Sequence, residues 1–355
     1  MNRPKMLVVA GVLAGFEMTA AHAVPTYTST VFAAPPAGGA SAPDSITVGA
    51  GSVWVSYAGG TTADGSEPSG NSTVVRYSPA GAVQNTYVIK GSVDGLKFNP
   101  ATGVVWALQN QDANSRLSFI DPATNAVTPQ PYAVTSATQG YDDVAFTSRG
   151  TFLSQTNPAS AAEITLQKVV DGTSPIQVTN VLAAGAPGKN IVTGQANFVL
   201  PTFDPDSLKV APNGDLVQTS GNRDTLVFIS SPGEATQSVS YLPLTASGAA
   251  VSGLDDSLYV TASSGTLYLT ETSGNQVLAL NLQGLTPGTL LANIGSLSEL
   301  AFVDPATGNL TPFVTGLPGA HGLAFAASAA AVPEPASLAL LAAGVAGMLG
   351  LRRRA

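Results

Sequence analysis

The chain has 355 residues, no cysteine and a formal net charge of −8. Without cysteine there are no disulfides, no thiol catalysis and almost no route to a zinc site. The acidic balance disfavours nucleic acid and anionic lipid as partners.

The N-terminus, "MNRPKMLVVAGVLAGFEMTAAHA", places Arg3 and Lys5 before an apolar run over 6–16 and closes on Ala21, His22 and Ala23. Basic residues, an apolar stretch and an A-x-A close make a secretory signal peptide over 1–23, cleaved after Ala23. Eleven apolar residues are too few for the ~20 of a spanning helix.

The body, 24–331, carries nine Lys+Arg against twenty Asp+Glu, a formal charge of −11. Exported without disulfides, it must be held by its core, and its length allows one large domain. His321 is its only histidine, so no histidine pair is available to hold a metal. Short apolar runs alternate with turn signals every 8 to 12 residues, as in "SVWVSYAGG", "TVVRYSPAG", "TLVFISSPG" and "TLYLTETSGN". This predicts an all-β body. Runs such as "QVLALNL" are apolar on both faces, as strands covered on two sides require.

One pattern recurs: Asp, any residue, apolar, any residue, apolar. It reads "DSITV" from Asp44, "DGLKF" from Asp94, "DDVAF" from Asp142, "DSLKV" from Asp206 and "DSLYV" from Asp256, with "HGLAF" from His321 as a variant. The starts are 50, 48, 64, 50 and 65 residues apart. A second repeat, "NPATG" at Asn99, "DPATN" at Asp121 and "DPATG" at Asp304, suits a type I turn closed by a left-handed residue. About four strands per 50-residue unit predicts a β-propeller, each unit running from inner to outer strand. Six blades fit best, with five or seven as alternatives and a pair of β-sandwiches as the competing architecture. A strand near 26–34 is expected to complete the last blade.

Through "DGLKFNPATGVVWAL" and "GTLYLTETSGNQVLALNL", the body resembles the six-bladed propellers of the NHL-repeat and gluconolactonase-like families. The resemblance implies either a binding module or a hydrolase with one divalent cation in the channel. Gluconolactonase-like enzymes take a Glu, Asn and Asp ligand set from different blades. That set does not assemble residue by residue here, so a noncatalytic module is expected. A divalent-cation-dependent hydrolase or lactonase is the alternative.

Repetition makes the aspartates a spatial expectation. Asp44, Asp94, Asp142, Asp206 and Asp256 each open an inner strand and should ring one mouth of the channel. They suit Ca²⁺, which prefers oxygen ligands, or they accept N–H bonds in their own turns. Asn157, Asn197, Asn222 and Asn275 offer further oxygens. His321 stands at the channel mouth as a general base or as a strand cap. Trp54, Trp106, Tyr141 and Tyr268 stack on sugars or pack internally.

The last residues, "AVPEPASLALLAAGVAGMLGLRRRA", form a separate object. Residues 336–351 carry no charge, and Arg352, Arg353 and Arg354 follow at once. Sixteen residues give about 24 Å of helix against a ~30 Å hydrocarbon core, a shortfall that snorkelling arginines and bilayer thinning can cover. The arginines should stay cytoplasmic. With Pro333, Glu334 and Pro335 ahead of the helix, segment 332–355 resembles the PEP-CTERM sorting tail of exopolysaccharide-producing Gram-negative bacteria. The resemblance implies recognition by an exosortase, a transient hold in the inner membrane, and transfer to the cell surface or the extracellular biofilm matrix. A matrix polysaccharide or surface protein would be the body's partner there.

Overall fold

The computed structural model describes residues 26–328, except 37, 39, 60, 62–69, 111–114, 133–139, 200, 201 and 203. The signal peptide and the sorting tail, with its apolar stretch at 336–351, lie outside the described residues. Among the described residues no helix is long and apolar enough to cross a membrane.

The described chain is almost wholly strand and turn, arranged in six sheets. The inner strands are Pro43–Gly49, Val93–Asn99, Tyr141–Thr147, Leu208–Val210, Leu254–Tyr259 and Ala320–Ala327. Each packs beside the next, and the last returns to the first, which closes a six-bladed propeller. Every repeat start expected from the sequence falls at the head of an inner strand or within two residues of it.

Six core clusters explain the strands that are apolar on both faces. Each cluster fills the wedge between neighbouring blades. Trp54, Val74 and Ile89 of blade 1 meet Val93, Leu96 and Val105 of blade 2. The ring closes where Ala33, Tyr268 and Val277 of blade 6 meet Ile46, Val55 and Tyr77 of blade 1. A blade is therefore covered on both sides, and burial of side chains such as Val55, Leu108 and Leu226, with no exposed surface, supplies the main stabilisation.

The repeated turns form as expected. The N–H groups of Gly103, Asn125 and Gly308 donate to the carbonyls of Asn99, Asp121 and Asp304, each at 2.8 Å. Those three closing residues have φ of 73°, 59° and 70°, the left-handed region that Gly and Asn tolerate. The side chains of Asn99, Asp121 and Asp304 accept the N–H two residues on, at 2.8 to 2.9 Å.

The final two blades depart from the simple unit. The strand expected to close the ring, Thr26–Ala33, is the outer strand of blade 6 and pairs with Gln276–Gln283. The order of the others differs from expectation. After Leu254–Tyr259 the chain crosses to blade 6 and builds the hairpin Ser264–Glu271 and Gln276–Gln283. It then returns to blade 5 for Leu290–Ile294, Glu299–Val303 and Asn309–Thr315, and crosses again to lay down Ala320–Ala327. Blades 5 and 6 are thus threaded through one another. Their shared wedge is the core formed by Leu267, Leu269, Leu280, Leu291, Leu300 and Leu323.

Candidate functional site

Five of the six inner strands begin at the same end of the ring with a short irregularity before regular pairing starts, as between Pro43 and Ile46, Val93 and Gly95, and Tyr141 and Asp143; in blade 4 regular pairing starts only at Leu208. The irregularity frees one N–H, which the second strand of the blade captures. The N–H groups of Ser45 and Ser207 donate to the hydroxyls of Ser56 and Thr219, at 3.0 and 2.8 Å, and that of Asp256 donates to Asn293 Oδ1. Ser45, Ser207 and Asp256 are therefore equivalent positions. It follows that Asp255, and not Asp256, is the equivalent of Asp44, Asp94, Asp142 and Asp206. The sequence register was one residue off in blade 5, because "LDDSLYV" offers two aspartates at compatible spacing.

The position after the mouth residue staples blades together. Ser45 Oγ accepts the N–H of Leu96 at 2.9 Å, Asp143 Oδ2 that of Leu208 at 2.9 Å, and Asp256 Oδ2 that of Leu323 at 2.7 Å. Where this position is glycine, the next blade's backbone comes too close for a side chain. A Cβ on Gly95 would lie 2.2 Å from the Asp142 carbonyl oxygen, and one on Gly322 would lie 2.6 Å from that of Asp44.

The two aspartate staples carry their own counter-ions. Lys209 Nζ lies 3.3 Å from Asp143 Oδ2 and 2.8 Å from Asp256 Oδ1, and Lys97 Nζ lies 3.3 Å from Asp143 Oδ1. Burial would raise the pKa of Asp143, but Lys209, Lys97 and two N–H donors outweigh it and hold the carboxyl below its ordinary range. Burial would lower Lys209, yet Asp143 and Asp256 hold its ammonium above the usual value. This inner level is neutral and satisfied, with Asp256 engaged in it.

The outer level is different. Asp44, Asp94, Asp142, Asp206, Asp255 and His321, one from each blade, line a single cavity of about 170 Å³ at the mouth. Asn110 Nδ2 donates to Asp94 at 2.6 Å. His321 Nδ1 lies 3.1 Å from Asp255 Oδ1 and 3.5 Å from Asp44 Oδ1. The hydrogen bond to Asp255 raises the imidazole pKa despite burial, and further carboxylates add to it. Asp142 is 4% exposed, and neither carboxylate oxygen has a hydrogen-bond partner. Burial pushes Asp142, Asp44 and Asp206 well above the ordinary carboxylate range, and the neighbouring carboxylates push further. The Thr156 side chain, near enough to pull Asp142 the other way, does not reach full hydrogen-bond geometry with either oxygen. Among the described residues no three acidic or histidine side chains are gathered as a ligand group for a metal ion.

A second, more open cleft adjoins the mouth, lined by Asn157, Pro158, Asp204, Asn222 and Arg223. It brings together two of the four asparagines singled out in the sequence. Asn197 and Asn275 line neither cavity and sit at φ of 53° and 50°, so both meet the left-handed demand of their turns. Trp54, Tyr141 and Tyr268 are buried in wedges, and Trp106 packs on Phe119 and Phe146, so these aromatics serve the core. The staples Ser45 and Asp143, the lysines and Asp255 went unnoticed in the sequence. Their signals were the doubled "DD" of "YDDVAF" and "LDDSLY" and the shared Leu-Lys of "GLKF" and "SLKV".

The strand order and the closed ring define a six-bladed all-β propeller, and one solved structure at a TM-score of 0.50 shares the fold. A protein classed by family as a gluconolactonase matches with a TM-score of 0.50 and 12% identity over 83% of this chain and 84% of that one. The periplasmic gluconolactonase of Pseudomonas aeruginosa matches at 0.46 and 11%, over 80% and 88%. Virginiamycin B lyase from Staphylococcus aureus matches at 0.44 and 11%, over 84% and 92%. At such identities the likeness is one of fold. No curated protein matches the chain. The family model of the PEP-CTERM protein-sorting motif matches residues 331–354. The motif implies export, membrane anchoring before processing, and an exosortase as the processing partner.

Proposed function

We propose that the chain is a surface or matrix protein whose propeller, 24–331, is a noncatalytic binding module and whose acidic mouth takes a cation. Residues 1–23 act as the signal peptide, cut after Ala23. Segment 332–355 is the sorting tail, with Pro333, Glu334 and Pro335 as the recognised segment, 336–351 as the membrane helix and Arg352, Arg353 and Arg354 as the cytoplasmic stop. The observation that carries the binding role is Asp142, a buried carboxyl with neither oxygen in a full hydrogen bond, in a cavity lined by six further aspartates against the single ammonium of Lys209. A cation there relieves both the desolvation and the mutual repulsion. It draws on carboxylates of adjacent blades instead of a ready-made ligand group. A free cation, or one borne by a matrix polysaccharide or surface protein, meets that need.

Ca²⁺ is the first ion to test, because these ligands are oxygens. A cation that binds the folded ring and not the unfolded chain raises stability with its concentration. In millimolar Ca²⁺ the melting temperature should exceed that in chelator at equal ionic strength, and Asp94→Asn with Asp206→Asn should remove the difference. Coincident melting curves for the unsubstituted chain would refute a Ca²⁺ site. The lactonase reading has less support. It has only a likeness of fold behind it.

A further inference from the structure

The blade topology fixes where both chain ends leave the ring. The last inner strand, Ala320–Ala327, starts at the mouth with His321 and runs to the opposite face. There Ser328 N–H donates to the Ser264 carbonyl at 3.0 Å. The first strand, Thr26–Ala33, also begins at that face: Thr26 pairs with Gln283, Gln283 with Ser264, and the adjoining Gly265 with Ala327. The two segments that engage the membrane thus extend from one face of the propeller, and the acidic mouth lies on the other.

The tether is short. From Ser328 to Pro333 there are five steps, which span at most about 18 Å when fully extended. The seven steps of Ala320–Ala327 rise about 23 Å from that face to the mouth. The sorting segment therefore falls short of the mouth plane even by the most direct path. It emerges from an inner strand, close to the ring axis, so tilting the body gains little reach.

We infer that the face opposite the mouth is the surface turned to the membrane and to the exosortase, and that the acidic mouth is presented outward while the chain is anchored. This rests on the sorting-tail reading above. The processing enzyme meets the turns around Ala101 and Ala306 on the far face, and a ligand reaches the mouth without displacing it.

Because the chain has no cysteine, single cysteines report position directly. Ala101→Cys and Ala306→Cys mark the far face; Ala159→Cys and Ser273→Cys mark the mouth, and all four sites are exposed. The full chain is labelled with a donor dye and reconstituted without exosortase into phosphatidylcholine vesicles that carry an acceptor lipid. Energy transfer should be at least about twofold higher from 101 and 306 than from 159 and 273, given the ~23 Å of height between the faces. Inserting twenty Gly/Ser residues after Ser328, with an r.m.s. span of about 25 Å, should abolish the difference while all four sites keep a signal. Equal or reversed transfer in the original chain, or a difference that survives the insertion, overturns the orientation. No transfer from any site overturns the anchoring reading, and the orientation with it.

Discussion

Asp142 shows what one misplaced charge does to a ring. Its carboxyl is buried, has no hydrogen-bond partner and sits among other acids, so the protonated form is favoured. Asp44 and Asp206, half-buried among the same acids, have pKa values that are likewise raised. In the unfolded chain these groups titrate near 3.9. Their contribution to stability is therefore fully present below that pH and is lost as pH rises through the raised folded values. His321, also raised, adds the same sign above its unfolded value near 6.5. The lowered carboxyls, Asp143, Asp121 and Asp304, act in the opposite sense but below pH 4. In chelator the melting temperature should thus fall from pH 5 to pH 8. Asp142→Asn should flatten that slope and raise the melting temperature at pH 7.5, because the amide keeps the shape and carries no charge to desolvate or repel. A melting temperature that rises over this range, or an Asn variant less stable at pH 7.5, would contradict this account of the mouth.

At the scale of strands and blades, closure depends on Thr26–Ala33, which joins the two ends of the ring by pairing with Gln276–Gln283. Thr28 and Asn281 are directly opposed and both are exposed. Opposed positions in an antiparallel pair lie ~4.5–5.5 Å apart, within the span a disulfide needs. Thr28→Cys with Asn281→Cys should therefore oxidise on export and stabilise by up to about 5 kcal/mol, because the closed loop holds most of the body. Failure to crosslink would mean that another strand closes blade 6. The closing strand is legible in the sequence because the stretch after Val260 holds more strands than one blade needs and fewer than two. The inner strands are legible too, since an Asp followed by alternating apolar residues marks both a turn and a strand. The hairpin from Ser264 to Gln283 cannot be assigned to a blade from the sequence. Leu267, Leu269, Leu280 and Leu282 would be buried equally well in blade 5 or blade 6, and alternation carries no information on which. The mouth was legible as a ring of aspartates but not in its charge balance. Lys97 and Lys209 read as exposed polar positions of strands, and only the narrow channel brings them onto Asp143 and Asp256.

On the proposed reading, the whole molecule separates recognition from address. The propeller presents an acidic mouth on one face and gives up its chain on the other, so processing at the tail leaves the mouth untouched. On the sorting-tail reading, proline at 333 and 335 disfavours helix on either side of Glu334. Replacing Pro333, Glu334 and Pro335 with alanine keeps residues 336–351 and the three arginines. Alanine is also the strongest helix former, so the changed segment is expected to join the apolar helix. Export, which depends on the N-terminal signal, should be unaffected. Processing should stop, and the precursor should accumulate in the inner membrane, heavier by the tail on intact-mass measurement and still protease-accessible from the periplasmic side. The body should melt as the unsubstituted body does, because the changed residues lie beyond its last strand. Release of a body with the unsubstituted mass would show that the sorting enzyme does not read these three residues, and the tail would then act as a plain membrane anchor.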